Sequence, residues 1–177
     1  MKQPIESLVE DLEACFRRDP AGKAAPRALA EYAREHADWK RFVRFDPALY
    51  TRNLVARNEH FEMLVLCWSA GQESPIHDHS GQHCFMAVLQ GRIEEQQYAM
   101  PAQAGTGPLR LTVRRVFERG EVAYIHDRIA LHRVRPHGGE PAVSLHLYAR
   151  PIDVCQVFEQ ETGAVLSRQL IYHSAGA

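Results

Sequence analysis

Two histidines separated by one residue give the strongest metal-binding signal in this chain. The segment reads His77-Asp78-His79, and side chains at positions i and i+2 of a β-strand lie on the same face of the sheet. Two imidazoles on one face are placed to bind a single metal ion. A His-x-His pair by itself is more often a chance arrangement or a surface feature, so the surrounding residues decide its interpretation.

The spacing around this pair follows a known pattern. Gly71 stands before His77 with five residues between them. Cys84 follows His79 after four residues, and Gly91 follows Cys84 after six. This spacing resembles the first motif of the cupin superfamily, with Cys84 at the position where that superfamily usually carries a glutamate.

A weaker resemblance to the second cupin motif begins at Gly120 and ends at His132. It departs from the pattern in three ways. His126 replaces the usual proline, the second glycine of the motif is missing, and His132 lies one residue further along the chain than the motif requires. The two motifs together offer three neutral nitrogen ligands, which are His77, His79 and His132.

The absence of a carboxylate from this ligand set has a chemical consequence. The common mononuclear non-haem iron site uses two histidines and one carboxylate. A third histidine leaves the charge of the metal uncompensated, which suits an anionic, soft ligand such as a thiolate. Three protein ligands also leave coordination positions open for a substrate and for O2.

Several sequence blocks resemble the cysteine dioxygenase family over most of the chain from Tyr50 to His173. The blocks are Tyr50-Thr51-Arg52-Asn53-Leu54-Val55, Ile76-His77-Asp78-His79, His83-Cys84-Phe85, Leu131-His132-Arg133-Val134 and Ser144-Leu145-His146-Leu147-Tyr148. The resemblance implies a cupin-type β-sandwich or barrel with a mononuclear Fe(II) site at His77, His79 and His132. It also implies that the chain oxidises L-cysteine with O2 to cysteine sulfinate.

The resemblance assigns a substrate-binding role to Arg52 and Tyr50. A lone arginine on a strand is usually solvated, but here the family makes Arg52 the clamp for the substrate carboxylate. A guanidinium is suited to this, because it grips a carboxylate through two parallel hydrogen bonds. Tyr50, two residues earlier, points to the same face and supports that end of the substrate.

Ser144, His146 and Tyr148 alternate with two leucines. The pattern alone favours an edge strand with its leucines inward and its polar residues in water. The resemblance reverses this interpretation and makes the row a hydrogen-bond relay that faces the metal, in which Ser144 orients His146 and His146 orients the Tyr148 hydroxyl.

Cys84 alone reads as a small buried hydrophobic residue. In animal members of the family the equivalent cysteine is joined by a thioether to the equivalent tyrosine, so the resemblance implies a Cys84–Tyr148 cross-link. Cys155 matches a family cysteine near the mouth of the site. The family sequence Ser-Pro-Pro after the tyrosine is replaced by Ala149-Arg150-Pro151, and we expect Arg150 to add a charge near Arg52.

Three other functions remain open at this stage. A dioxygenase for another small thiol, 3-mercaptopropionate, usually carries glutamine where Arg52 stands, so Arg52 favours cysteine. A cupin isomerase or zinc-type enzyme normally keeps the carboxylate that Cys84 replaces. A cupin that binds metal without catalysis would consume no oxygen with thiols.

The elements that must position these residues change in character along the chain. Residues 5–18 place Ile5, Leu8, Leu12 and Phe16 on one helical face. Pro26 opens a predicted second helix as its first residue, and residues 37–42 form a third short one. From residue 50 onward, short apolar or alternating segments are separated by glycine-rich turns, which indicates a sandwich or barrel. The predicted strands are 50–56, 61–68, 83–90, 92–99, 109–117, 121–126, 131–135, 142–149, 154–159 and 164–171. We expect one cupin domain over 1–177, with a helical extension at 1–45 and a β-barrel at 46–177.

The composition limits the partners. The 177 residues carry a formal net charge of −1 and no basic run, so no nucleic-acid or anionic-membrane partner is expected. No apolar run approaches a membrane span or a signal-peptide core, which predicts a cytoplasmic protein. Four cysteines without a CxxC pair are expected to be free thiols. The family resemblance implies a monomer.

Overall fold

The computed structural model describes residues 2–103 and 105–175, and most of its regular structure is β-strand. The helices are α1 (Pro4–Arg18) and α2 (Ala25–Glu35), followed by a 3-10 helix at Asp38–Phe42. The strands are β1 (Thr51–Arg57), β2 (Phe61–Trp68), β3 (Ile76–His77), β4 (Cys84–Gln90), β5 (Arg92–Tyr98), β6 (Leu111–Glu118), β7 (Val122–Ile125), β8 (Leu131–Pro136), β9 (Ala142–Ala149), β10 (Val154–Phe158), β11 (Val165–Gln169) and β12 (Ser174–Ala175). The predicted mainly β fold with N-terminal helices is confirmed.

The strands form two sheets. In the described residues the first sheet has the order β12-β1-β2-β9-β4-β7, and the second has the order β11-β10-β3-β8-β5-β6. Their facing side chains make one apolar cluster that contains Leu64 and Leu66 of the first sheet and Ile93 and Val134 of the second. The interior between the two sheets is therefore the place where side chains from distant parts of the chain meet.

The helices cover the outer face of the first sheet. One apolar cluster combines Leu12 and Phe16 of α1 and Leu29 of α2 with the outward-facing residues of β2, which are Phe61, Met63, Val65 and Cys67. Since both faces of β2 are covered, all eight of its residues are buried. This explains its nearly continuous apolar run, because apolar and polar residues alternate only in a strand with one solvent-exposed face. No helix in the described part of the chain is long and apolar enough to cross a membrane.

Each predicted strand corresponds to an observed one, with ends that differ by a few residues. Two short strands, β3 and β12, were not predicted because a two-residue strand has no periodicity to detect. Helix α2 begins at Ala25, one residue before Pro26, and the third helical segment is a 3-10 helix.

The edge-strand interpretation of residues 142–149 is wrong. Strand β9 lies between β2 and β4 in the middle of the first sheet, and all eight of its residues are buried. Its polar row therefore faces the interior between the sheets and not water.

Candidate metal centre and substrate pocket

Three histidine side chains converge on the inner face of the second sheet. His77 lies on β3 directly opposite His132 on β8, and His79 follows two residues after His77. The ring centroids are 5.1 Å apart for His77 and His79, and 4.7 Å apart for each of the two pairs that include His132. One nitrogen from each ring lies within 4.8 Å of the other two. This spacing suits three ligands of one ion.

Hydrogen bonds leave the Nε2 atoms of two of these rings available. The Nδ1 atom of His77 lies 3.0 Å from the carbonyl oxygen of Pro75, and that of His132 lies 2.8 Å from Oε1 of Glu95. Both partners are acceptors, so each Nδ1 carries the proton and each Nε2 keeps its lone pair. Such outer partners fix the orientation of metal-binding histidines.

His79 has a weaker partner. Its Nδ1 atom is 3.5 Å from the carboxylate of Asp127, which is long for a hydrogen bond. Nδ1 and Nε2 of this ring are both buried, and neither has a hydrogen-bond partner in the described residues. A buried polar atom without a partner is rare in folded proteins, and a metal ion at this position would satisfy it.

The electrostatics of the site keep His77 and His79 neutral. Burial lowers the pKa of His79 to about 4, with His132 adding to the effect while Asp127 opposes it. Burial also lowers the pKa of His77 well below its usual value, helped by the two neighbouring histidines. For Glu95, burial would raise the pKa, but the contact with His132 brings it below its usual value. Neutral imidazoles backed by a carboxylate are the form that binds a metal cation.

The metal-free protein is expected to lose stability as the pH falls from about 7 to about 5. An unfolded histidine titrates near 6.5, whereas His79 titrates near 4 in the fold. Between these values the unfolded state binds more protons than the folded state, so stability falls with pH, by about 2 kcal/mol for such a histidine at pH 5. Urea unfolding in the presence of a chelator measures this loss. A His79→Asn variant should show a shallower pH dependence, and equal slopes would contradict the assignment.

A buried arginine faces the metal centre from the first sheet. Arg52 on β1 is only 6% exposed, and its guanidinium lies 5.8 Å from the centre of the Tyr148 ring. Its Nη2 atom is 3.1 Å from Oε1 of Glu62, while its Nε atom is buried and has no partner among the described residues. The guanidinium thus has donors left for another acceptor. Tyr50 stands beside it and stacks on Trp68 at 4.5 Å between ring centres.

The polar row of β9 forms a hydrogen-bonded chain whose direction can be deduced. The Ser144 hydroxyl accepts a hydrogen bond of 3.0 Å from the Trp68 indole and lies 2.9 Å from Nε2 of His146. Since Ser144 is fully buried and has no other side-chain partner in the described residues, its own proton points to His146. His146 then carries its proton on Nδ1, 3.3 Å from the Tyr148 hydroxyl. This arrangement leaves the Tyr148 proton free to point into the pocket.

Cys84 and Tyr148 are direct neighbours on adjacent strands. They are paired residues of β4 and β9 and both are buried, and directly opposed side chains lie on the same face of a sheet. Burial raises the pKa of the Cys84 thiol and that of the Tyr148 phenol. Both groups are therefore neutral at physiological pH.

A cavity between the sheets joins the metal centre to the arginine. Its lining residues are Tyr50, Arg52, Pro75, His77, Asp78, His79, Tyr148, Ile152, Cys155, Arg168 and Leu170. His132, His146 and Cys84 lie behind this lining, beside His77 or Tyr148, and Ser144 lies one residue further back, beside His146. The structure thus brings all nine predicted site residues into one region.

Some residues of the site were not singled out in the sequence. They are Trp68, Glu95 and Asp127, which hold site residues, Glu62, which binds Arg52, and Arg168, which lines the pocket. The available signal for Glu62 and Glu95 was a glutamate at an inward-facing position of a buried strand, since such a charge requires a partner.

The expectation for Arg150 is wrong. Arg150 does not line the pocket but instead a surface groove beside Arg17, Glu59 and His60. Its backbone has a φ of 73°, an uncommon conformation for a non-glycine residue. Its charge is therefore not among the groups that line the pocket beside Arg52.

Comparison with known proteins places these features in a family context. The family model described as "Cysteine dioxygenase type I" matches residues 2–161. "Cysteine dioxygenase type 1" of Homo sapiens is 38% identical over 173 residues, which cover 96% of this chain and 86% of the human protein. The protein of the same name from Danio rerio is 38% identical over 164 residues, covering 91% of this chain and 82% of that protein.

Two solved structures resemble the fold. A conserved protein with a double-stranded β-helix domain from Klebsiella pneumoniae has a TM-score of 0.56 and 17% identity, covering 71% of this chain and 98% of that one. The TT1209 protein from Thermus thermophilus has a TM-score of 0.51 and 22% identity, covering 66% of this chain and 99% of that one. At these identities the likeness concerns the fold alone, and it agrees with the two-sheet architecture.

Proposed function

Because the chain belongs to the cysteine dioxygenase type I family, we propose that it oxidises the sulfur of L-cysteine with O2 to a sulfinate at an Fe(II) ion. The observation that carries the proposal is the position of one guanidinium opposite the three-histidine cluster across a single cavity. A small molecule with a thiolate at one end and a carboxylate at the other satisfies both sides of this cavity.

The donor set fits a divalent metal ion. His77, His79 and His132 would bind it through Nε2, and the absence of a hydrogen-bond partner for either ring nitrogen of His79 among the described residues supports His79 as a ligand. Fe(II) at this position would supply open coordination sites and the redox chemistry that allows O2 to react with a thiolate. Iron is the proposed metal because the reaction requires it, since a three-histidine set by itself also binds Ni, Cu or Zn.

The protein side chains bind and orient the substrate. Arg52 is proposed to hold the carboxylate through its free donors, and Tyr50 to support that end of the pocket. The Tyr148 hydroxyl, which accepts a hydrogen bond from His146, directs its own proton toward the reacting atoms and stabilises charge that develops there. Ser144 and Trp68 act through His146, because they fix which of its nitrogens carries the proton.

The reaction needs no external reductant. Two sulfur–oxygen bonds form and the S–H proton leaves, so sulfur loses four electrons. The O2 molecule accepts those four electrons, and both of its atoms end on sulfur.

We propose that Cys84 and Tyr148 form a thioether during turnover. A bond forms between Sγ of Cys84 and the phenol ring carbon beside the hydroxyl, with O2 accepting two electrons and two protons. Intact-mass analysis should then show a loss of two hydrogen atoms after aerobic turnover with iron and cysteine. The Cys84→Ser variant serves as the control and should show no loss, and an unchanged wild-type mass would contradict the cross-link.

The domain organisation, oligomeric state and location of the enzyme are also proposals. We propose a single cupin domain over residues 1–177 that acts as a monomer in the cytoplasm. The shared apolar cluster between the helices and the first sheet supports a single folding unit. Light scattering of the purified protein measures the oligomeric state.

Oxygen uptake by anaerobically iron-loaded protein tests the function. L-Cysteine and 3-mercaptopropionate are compared, and the product is identified by mass. Faster turnover of cysteine, with one O2 consumed per sulfinate formed, is expected. Preference for 3-mercaptopropionate would support the metal centre but would overturn the assignment of L-cysteine as the substrate. An absence of uptake with either thiol would indicate a metal-binding cupin without this activity.

A further inference from the structure

A second charged residue of the first sheet is as deeply buried as the metal centre. Glu62 lies on β2 and has no exposed surface. It pairs directly with Tyr148 across the neighbouring strand β9, so its side chain is on the sheet face that carries the pocket. A buried carboxylate is strongly unfavourable unless its oxygens are paired.

Both oxygens of Glu62 have partners. Oε1 accepts from Nη2 of Arg52 at 3.1 Å. Oε2 accepts from Nη1 of Arg57 at 3.1 Å and from the Tyr172 hydroxyl at 2.7 Å. One carboxylate thus bridges two guanidinium groups and a phenol, and only one of these partners, Arg52, lines the substrate pocket.

Further contacts anchor the outer part of this network. Arg57 also donates to the Tyr172 hydroxyl and forms an ion pair of 2.9 Å with Asp153. The backbone of Arg52 is held as well, because its N–H donates to Nδ1 of His173 at 3.0 Å and its carbonyl accepts from the His173 N–H at 2.8 Å. Arg52 is therefore fixed at its backbone and at one terminal nitrogen.

We propose that Glu62 is a positioning residue that orients the Arg52 guanidinium and thereby makes the pocket selective for thiols that carry a carboxylate. This inference rests on the proposed function. Glu62 accepts a hydrogen bond from Nη2 of Arg52, whereas Nε of Arg52 has no partner in the described residues. The guanidinium therefore keeps free donors that point in a fixed direction. A long arginine side chain without this anchor would sample many rotamers, and preorganisation reduces the ordering that binding requires.

Glu62 could either weaken or strengthen the binding of a substrate carboxylate. Its negative charge repels the substrate carboxylate, whereas its hydrogen bond holds the guanidinium that attracts it. The charge of Glu62 is already balanced by two arginines, so the repulsion is small and the positioning effect should dominate.

The test compares two thiols that differ only in the carboxylate. L-Cysteine has the carboxylate, and cysteamine has the same thiol and amine without it. For Glu62→Gln, the ratio of kcat/KM for cysteine to that for cysteamine is expected to fall about tenfold, the size of effect typical for a lost charge-assisted hydrogen bond. The loss should appear in KM for cysteine, with kcat and the cysteamine constants unchanged.

Glu94→Gln is the matched control. Glu94 is also a buried carboxylate paired with arginine, at 2.8 Å from Arg135, but it lies on β5 outside the pocket. This control should leave the ratio unchanged. Equal loss for both thiols in Glu62→Gln would indicate a purely structural role, and a rise in the ratio would indicate that repulsion dominates. Either result overturns the inference.

Tyr172→Phe keeps the inference testable if Glu62→Gln does not fold. This variant removes one hydrogen bond to Glu62 and leaves the Arg52 contact, so the ratio should fall in the same direction but less. An unchanged ratio here would also contradict the inference. Wild-type protein that oxidises neither thiol would instead overturn the proposed function itself.

Discussion

Replacing His79 with alanine is expected to abolish both iron binding and thiol oxidation. The loss in kcat/KM should exceed about a thousandfold, since removing even the partner of a metal ligand costs roughly 10- to 100-fold. His79 is the most informative ligand to remove, because its ring has only a distant partner in Asp127. Removing His132 would instead leave Oε1 of the buried Glu95 without its partner, with only Oε2 still bound by Gln97, and would reduce stability as well.

Metal analysis of the anaerobically loaded protein and oxygen uptake measure the two effects separately. His83→Ala is the matched control, because His83 is a nearby histidine whose ring contacts Tyr124 and His126 instead of the metal cluster. This control should bind iron with the wild-type stoichiometry. Wild-type iron content in His79→Ala would exclude His79 as a ligand.

Replacing Arg52 with glutamine should lower kcat/KM for L-cysteine by about a hundredfold. Truncating one partner of a buried charge pair typically costs 2–5 kcal/mol, and about 1.4 kcal/mol corresponds to tenfold. The substituted protein should fold, because Glu62 retains Arg57 and Tyr172 as partners. Steady-state oxygen uptake at several cysteine concentrations separates the effect on KM from that on kcat.

Cysteamine provides the control for Arg52 in the same protein. It has no carboxylate to bind, so its kcat/KM should change little in Arg52→Gln. Arg52→Lys keeps the charge but loses the planar fork, and it should recover only part of the cysteine activity. If cysteine and cysteamine lose equal activity, Arg52 supports the structure of the pocket and does not bind the carboxylate.

The metal ligands could be predicted from sequence because their signal is local. His77 and His79 are two residues apart, and the alternation of a strand puts them on one face. His132 was found through a weak match to the second cupin motif and through the family resemblance, since nothing in the sequence shows that β8 pairs with β3. That pairing is made by a two-residue strand with no detectable periodicity.

The polar partners of the site were harder to predict because strand order determines them. Glu62 stands in a run of buried apolar residues, so its partners depend on which strands lie beside β2. Trp68 and Ser144 are 76 positions apart and meet only because β2 pairs with β9. Ser144 and His146 were correctly assigned to the interior by resemblance, whereas their pattern alone suggested an exposed strand.

The pairing of β1 with β12 has a consequence for the order of folding. The backbone hydrogen bond from the His173 N–H to the Arg52 carbonyl joins positions 121 residues apart, and closing such a loop costs about 4 kcal/mol of chain entropy. The hairpin of β1 and β2 has no such cost. During synthesis, Arg52 leaves the ribosome long before Tyr172 and His173, and its sheet can assemble around β2, β9 and β4 without them. Strands β3 and β8 of the second sheet, which carry His77 and His132, also precede Tyr172 in the chain, so the histidine cluster can form before the proposed carboxylate clamp acquires its final geometry.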